Sequence, residues 1–313
     1  MAEQTSDQTF TVALTGASGC VGGHVLSALL KRGHRVRALI RSPQSFTRPS
    51  TGAGSLEVIE GELADAAACE QLVDGADAVV HLVGIIDERG AGSFHEVHVE
   101  GTRSVLSAAT AAGIDRWVQM SALGAREDAR SRYHQTKYEA EQLVREQMAR
   151  WTILRPSIIH GPDGEFMQMV RDFWVKLFPP FVPYFGAGPA GLGGAGRLQP
   201  VWVEDVATVA AEALTRPIAE GQVYPMGGPD RLTWPQLYRL CRDHFPDARN
   251  KPIVAVPVWY ANLIAGMPGV PFNRDQVIMS QEDSICATGK FEEHFEMKAA
   301  AFEPTLTDYA DRM

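Results

Sequence analysis

The stretch TGASGCVGG, residues 15–23, limits what this chain can fold into more than any other. An apolar run, FTVALTG, leads into it, and VGGHVLSALLKRG leaves it with helical periodicity and a closing Gly33. Gly16, Gly19 and Gly22 therefore fall at GxxGxxG between a strand and a helix. In that setting the first glycine makes the tight turn, the second lets backbone approach a pyrophosphate, and the third lets helix and strand pack closely. The helix N-terminus then faces the anion. The residues expected to touch a dinucleotide are Gly16, Ser18, Gly19, Cys20, Val21 and Gly22. The plain alternative is a tight turn without a ligand. Cys20 stands at the helix N-terminus, where a thiol pKa can fall; a buried packing thiol is the competing reading.

The first half of the chain alternates strand and helix. Six apolar strands are predicted: FTVALTG, HRVRALIRS, SLEVIEG, ADAVVHLVG, DRWVQMSA and RWTILRPS, with amphipathic segments between them. One of those segments, SFHEVHVEGTRSVLSAATAAG, reads as a helix closed by Gly113. Continuous apolar strands between amphipathic helices imply a parallel sheet covered on both faces. Right-handed crossovers make it doubly wound, a Rossmann fold. The expected fold class is thus α/β, a doubly wound parallel sheet with a smaller C-terminal lobe. The dinucleotide-binding domain is expected over 8–160, with a return to it at about 198–226, where LQPVWVEDVATVAAEALTRP restores strand then helix. The remainder, 161–197 and 227–313, is assigned to the small substrate or partner lobe.

Composition narrows the function. The formal net charge of −9 and the lack of a basic run argue against nucleic acid as a partner. Cys20, Cys69, Cys241 and Cys286 show no CxxC spacing, which points to a reducing, cytoplasmic compartment rather than a disulfide framework. The opening MAEQTSDQTF is polar and reads as neither signal nor transit peptide. The apolar stretch that begins at Pro252 contains Pro257, Pro268 and Pro271, so it reads as strand, turn and short buried helix rather than a membrane span. HEVH, residues 95–98, spaces its histidines three apart and lacks a third ligand, so no metal is expected. Neither a G-x-S-x-G elbow nor a GxxxxGK[ST] loop occurs, which argues against a serine hydrolase and an ATPase.

Further cofactor contacts follow from the order of elements. The position about 20 residues beyond the glycines, where an acid would bind ribose hydroxyls, holds Arg41, with Arg37 on the same strand face. Between the glycine loop and Glu57 there is no acid. An arginine suits a 2′-phosphate, so NADP(H) is favoured and NAD(H) remains possible. The alternative for Arg41 is a solvated strand end. Glu62 and Leu63, after the third strand, are placed at the adenine; Val83 and Gly84, after the fourth, lie beside the pyrophosphate.

SRYHQTKYEAEQ puts Tyr133 and Lys137 four apart, on one face of a helix. An ammonium about 4 Å from a phenol, at an effective dielectric of about 20, is worth about 4 kcal/mol. That lowers a tyrosine pKa by up to about three units, toward the working pH of a general acid. Lys137 is also placed to hold the nicotinamide ribose. The alternative is two surface residues with no chemistry between them.

Taken together, TGASGCVGGHV, DAVVHLVGII, FHEVHVEGTRSVLSAA, MSALGA, YHQTKYEAE, LRPSIIHGP and LQPVWVEDVA resemble the short-chain dehydrogenase/reductase superfamily, from about residue 10 to 210. The chain is most similar to its atypical extended branch, which includes the nucleotide-binding accessory subunit of respiratory complex I (the alpha-subcomplex subunit 9 type). The resemblance implies that Ser121 orients a substrate carbonyl, Tyr133 donates a proton and Lys137 tunes it. Pro156 of LRPSIIHGP is a further expected cofactor contact. One departure stands out: HVEGT places His98 where active members carry an asparagine that holds a proton-relaying water. The resemblance implies an NAD(P)H oxidoreductase, with a non-catalytic accessory or redox-sensing protein and a nucleotide-sugar epimerase as alternatives. The aromatic segment 165–188 implies either packing of the small lobe or a cleft or membrane-facing surface for an apolar substrate such as a quinone or lipid. The glycine-rich run 186–197 reads as a lid or a passive linker. Partners are expected to be the cofactor with a small apolar substrate or a protein, and peripheral membrane contact is allowed.

Overall fold

The computed structural model describes residues 8–49, 52–88, 92–187, 195–267, 270 and 272–313. The polar opening over residues 1–7, most of the glycine-rich run (188–194), and Pro268 and Pro271 lie outside the described residues.

In chain order the elements are β1 (Thr11–Thr15), α1 (Cys20–Lys31), β2 (Arg35–Ile40), β3 (Ser55–Glu60), α2 (Ala66–Val73), β4 (Ala78–His81), α3 (Gly101–Ala111), β5 (Arg116–Met120), α4 (Arg132–Gln147) and β6 (Arg150–Pro156). Then follow β7 (Ile159–His160), α5 (Glu165–Val175), β8 (Val182–Gly186), β9 (Val201–Trp202), α6 (Val203–Glu212), β10 (Gln222–Met226), α7 (Trp234–His244), β11 (Ile253–Pro257), α8 (Val258–Ile264) and α9 (Arg274–Met279). Seven strands form one parallel sheet in the order β10-β6-β5-β4-β1-β2-β3. All six strands expected from the apolar runs are present. The seventh, β10, comes from Gln222–Met226 and not from the Val201–Trp202 strand, which pairs with β7 instead.

Both faces of the sheet are buried. Val12, Leu14, Val36 and Val80 point into one core with α1 and α6, while Ala13, Val79 and Trp117 point into another with α2 and α3. This double burial is why the strands read as continuous apolar runs. Gly33 (φ 82°) and Gly113 (φ 75°) end α1 and α3 in the left-handed conformation that glycine adopts without strain. A third core encloses α5, α7 and the two-stranded β8–β11 sheet of a smaller lobe, with Met167, Val170, Trp174, Leu237 and Phe302 at its centre.

Two local expectations need correction. The helix read over 93–113 opens as a π-helical segment, His95–Glu100, in which Gly101 donates to Glu96 five residues back. Leu63 occupies the space where a side chain at Gly101 would project, at 2.7 Å, and such wide turns recur at functional sites. The short helix after β11 is not buried: Trp259, Tyr260 and Leu263 of α8 are exposed, because only Ala261 faces inward.

Candidate dinucleotide and active site

The sheet order reverses direction at β1, between β2 on one side and β4 on the other, so a crevice opens above the carboxyl ends of these strands. Gly16 ends β1 there at φ 80°, and a Cβ on it would sit 3.1 Å from the Val83 nitrogen. Gly22 is more tightly held: a Cβ would lie 1.9 Å from the Gly16 carbonyl oxygen. Gly19 is the N-cap of α1, with no side-chain cap and no acid in the first turn. The N–H groups of Cys20, Val21 and Gly22 thus have no intrahelical acceptor and face the crevice with the positive helix end. Ser18 is exposed at the lip, and Val21 packs partly on the core. This is a cradle for an anion.

Cys20 is half-buried, and burial with the nearby Asp163 and Glu165 carboxylates pushes its thiol up to about 11. The lowered thiol pKa considered above is not what the fold produces. Arg41 is exposed at the end of β2 and makes no hydrogen bond or ion pair among the described residues. Arg37 is different. It is buried and donates to Glu57 (2.6 Å), Gln71 O (2.7 Å) and Leu72 O (3.2 Å). It locks β2 to β3 and α2, and Glu57 is taken up in doing so. Glu62 is exposed after β3, next to Asp65, which caps α2 by accepting from Ala67 and Ala68. Leu63 is half-buried against α3, and Pro156 is buried at the end of β6, its carbonyl accepting from Leu123.

The chemistry gathers at the ends of β4 and β5. Lys137 is buried, and its ammonium donates to Val83 O (3.3 Å) and Met120 O (3.4 Å), leaving one N–H uncommitted. Burial pulls its pKa down to about 8, opposed by the Glu141 carboxylate one turn on. Glu141, itself fully buried, is gripped by Arg155 at 2.7 and 2.5 Å, which ties α4 to β6 and fixes the lysine. The room at Gly84 belongs to this lysine: a Cβ there would meet Nζ at 2.5 Å and His98 Nε2 at 3.4 Å. Ser121 is buried beside Met120, and its hydroxyl has no partner among the described residues.

Tyr133 is half-buried with its ring against Phe94 (5.8 Å), His98 (5.4 Å) and His134 (5.3 Å). Burial pushes the phenol up to about 12. The expected lowering by Lys137 is absent, because the ammonium is drawn to backbone carbonyls instead. At neutral pH the phenol is protonated.

Behind this group lies a buried polar chain that the sequence reading did not anticipate beyond His98. His98 Nε2 lies 3.1 Å from both the N–H and the carbonyl oxygen of Ile85, accepting from one or donating to the other by tautomer, and Nδ1 lies 2.9 Å from Thr136 Oγ1. Thr136 in turn donates to Arg132 O or Tyr133 O. With Nδ1 protonated, every group in that chain is satisfied. Burial, with the Lys137 charge, holds His98 neutral, its pKa lowered to about 2. His81 bridges Thr15 (2.8 Å) and Thr102 (3.2 Å), and Thr102 donates to His98 O (2.6 Å). One signal was available: His81 is a lone polar residue in the continuous apolar run of β4. His95 is exposed while His98 is buried, so the two do not share a face.

A segment from the small lobe crosses the mouth of the site. Asn273 donates to Ile86 O (2.9 Å), Asp275 accepts from the Tyr133 N–H (3.3 Å), and Glu282 pairs with Arg126 (3.0 Å). This segment thus ties the small lobe to the ends of β4 and β5 and the start of α4.

These features define a Rossmann-type protein whose crevice fits a nicotinamide dinucleotide: free amides at a helix start, a glycine cradle, a buried ammonium with a spare donor and an orphaned hydroxyl. A family described as NAD(P)H-binding matches residues 16–171. The ceramide reductase of Caulobacter vibrioides is 31% identical over 235 residues, which are 75% of this chain and 70% of that protein. The mitochondrial NADH dehydrogenase [ubiquinone] 1 alpha subcomplex subunit 9 of Arabidopsis thaliana is 29% identical over 233 residues, 73% of this chain and 56% of that one. A UDP-glucose 4-epimerase from Thermotoga maritima, solved with UDP-glucose, superposes with a TM-score of 0.72 at 19% identity, covering 96% of this chain and 98% of that one, and shows the shared fold. The chain belongs to the short-chain dehydrogenase/reductase superfamily, in its atypical extended branch with the complex I subunit 9-like proteins. It is an NAD(P)H-binding protein of an oxidoreductase-like family. Among the described residues no helix is long and apolar enough to cross a membrane.

Proposed function

We propose that this chain is an NADPH-dependent reductase acting on the carbonyl of an apolar substrate, of the lipid or quinone type. The observation that carries this reading is the orphaned Ser121 hydroxyl, buried one residue from the carbonyl that holds Lys137. A buried hydroxyl without a partner costs about 1–3 kcal/mol, and a substrate carbonyl that accepts from it removes that cost. Ser121 thereby orients the carbonyl. Tyr133, which burial keeps protonated at neutral pH, is the proton donor. The spare Lys137 donor holds the nicotinamide ribose. The cofactor supplies the hydride. Arg41, exposed and unpaired at the end of β2, supports a 2′-phosphate. The ceramide specificity in the name of the Caulobacter vibrioides relative and the exposed Ile86 at the mouth of the site support an apolar substrate.

A second reading, a non-catalytic cofactor-binding accessory protein, is favoured by His98. Both its ring nitrogens are committed within the protein, so it holds no obvious relay water. A nucleotide-sugar epimerase is disfavoured because Lys251 donates to the Phe173, Lys176 and Pro179 carbonyls and Arg249 to Val175 O, away from a substrate diphosphate. The test is to identify the copurifying nucleotide, then follow NADPH oxidation with aldehydes and quinones for the native chain and Tyr133→Phe. A loss of about 10²-fold or more in kcat with unchanged nucleotide affinity supports the reductase. Nucleotide binding with no Tyr133-dependent turnover supports the accessory reading, and no nucleotide affinity refutes both.

A further inference from the structure

His134 follows Tyr133 in the first turn of α4, and its ring makes no hydrogen bond or ion pair among the described residues; Nδ1 is buried with no partner. Burial holds the imidazole neutral, its pKa lowered to about 4, with the charges of Glu282 and Arg126 opposing each other. The nitrogens therefore do not keep this side chain in place. Packing does. A Cβ built on Gly124 would lie 2.2 Å from His134 Cε1, 2.5 Å from Nδ1 and 2.6 Å from Nε2, so the imidazole occupies the space that a side chain at 124 would need. The same ring meets the Tyr133 ring at 5.3 Å, inclined by 62°.

Gly124 closes the SALG loop that begins at Ser121. That loop is held along its length. Ser121 N–H donates to Leu154 O (2.8 Å), Leu123 N–H to Pro156 O (3.0 Å) and Ala125 N–H to Ala122 O (3.0 Å). Arg126 turns back to donate to Gly124 O (3.1 Å) and is itself clamped by Glu282 through both terminal guanidinium nitrogens (3.1 and 3.0 Å). Phe94 and His98 bound the Tyr133 ring from their own segment. His134 is in contact with both the tyrosine and the loop that carries Ser121. A proton donor and a hydroxyl that orients a carbonyl act together only at a fixed spacing, because a displacement of about 1 Å can cost about 10²-fold in rate.

We infer that His134 is a positioning residue, a wedge seated on Gly124 that sets the Tyr133 phenol relative to the Ser121 hydroxyl. The roles of Tyr133 and Ser121 rest on the reductase reading; the contacts of the wedge do not. Position 124 is glycine because any side chain there would eject the imidazole. What a methyl at 124 would meet is the end of a side chain and not backbone, so in Gly124→Ala the ring gives way while the fold holds.

The test uses the full chain with NADPH and the aldehyde or quinone it reduces fastest, and reads kcat, KM, NADPH affinity and Tm for His134→Ala, His134→Phe and Gly124→Ala. His134→Ala and Gly124→Ala are each expected to lower kcat about tenfold or more while KM and NADPH affinity change less than about twofold, the pattern of an interaction that acts in the transition state. A purely structural role would move Tm without this split. His134→Phe keeps a flat ring on the glycine and an edge contact to the tyrosine, and is expected to stay within about threefold of the native kcat. Gly124→Ala keeps the test decisive should His134→Ala fail to fold. Unchanged kcat in either alanine variant overturns the assignment, as does a His134→Phe variant as slow as His134→Ala, which would give the work to the ring nitrogens. No turnover by the native chain overturns the reductase reading and this assignment with it, whereas turnover indifferent to His134 overturns this assignment alone.

Discussion

His81, His98 and His160 are buried without charge and make the fold acid-sensitive, alongside His34 and His134, whose pKa values burial also lowers. His81 is wedged between Thr15 and Thr102, His98 between Ile85 and Thr136, and His160 between Tyr309 (3.2 Å) and the Phe302 ring (4.8 Å). Each is at most 1% exposed. Burial pulls them from 6.5 to about 3, about 2 and about 3. A base with a lowered folded pKa binds fewer protons folded than unfolded, so stability is lost as pH falls below about 6.5, at about 1.36 kcal/mol per unit per group. Between about pH 7 and about pH 5 each histidine removes about 2 kcal/mol, and any folded pKa below about 4 gives nearly the same figure. Three such groups remove about 6 kcal/mol from a stability that is typically about 5–15 kcal/mol. The assay is thermal unfolding by circular dichroism across this range, for the native chain and for His98→Gln. The variant is expected to lose about 2 kcal/mol of the destabilisation between about pH 7 and about pH 5, whatever its fixed change in stability, because only the difference in slope is read. Opposing groups, such as Asp205 with its carboxyl pKa raised by burial, cancel in that comparison. Equal slopes for the two proteins, or a His98 ring that titrates near 6.5 in the folded chain, would refute the reasoning.

Other outcomes follow from single contacts. Gly84→Ala places a methyl 2.5 Å from Lys137 Nζ. The flexible lysine end gives way rather than the backbone, so Tm should change little while NADPH affinity, measured by fluorescence titration, falls by about tenfold, the equivalent of one charged hydrogen bond. Arg41→Ala should weaken NADPH by about 10-fold or more and NADH by much less, read as the ratio of the two Kd values; equal losses would sink the 2′-phosphate assignment. Cys20, at about 11, should react with iodoacetamide near neutral pH more slowly than a free thiol of about 8.5, and faster reaction would show the burial argument to be wrong.

Much of the architecture was legible because it rests on local rules. The GxxGxxG run, six apolar strands and the closing glycines at Gly33 and Gly113 each carry their reason within a few residues. The Tyr133–Lys137 spacing is likewise local, since four residues on a helix share a face whatever surrounds them. The sequence alone therefore determined the doubly wound sheet and the glycine loop at the start of its first helix.

Tertiary structure decided the rest, because it turned on what lies across the crevice. Whether Lys137 lowers the Tyr133 pKa depends on where the ammonium points, and the Val83 and Met120 carbonyls, 54 and 17 residues away, hold it. Whether Arg37 is free for a ligand depends on Glu57 and the end of α2, which take it up. Whether the cations near residue 250 are isolated depends on the pairing of β8 with β11, which gathers them around the 176–180 turn. Periodicity specifies which side of a segment is buried. It carries no record of which distant carbonyl or carboxylate will be there, and those long-range partners fix charge, pKa and the surface the chain presents.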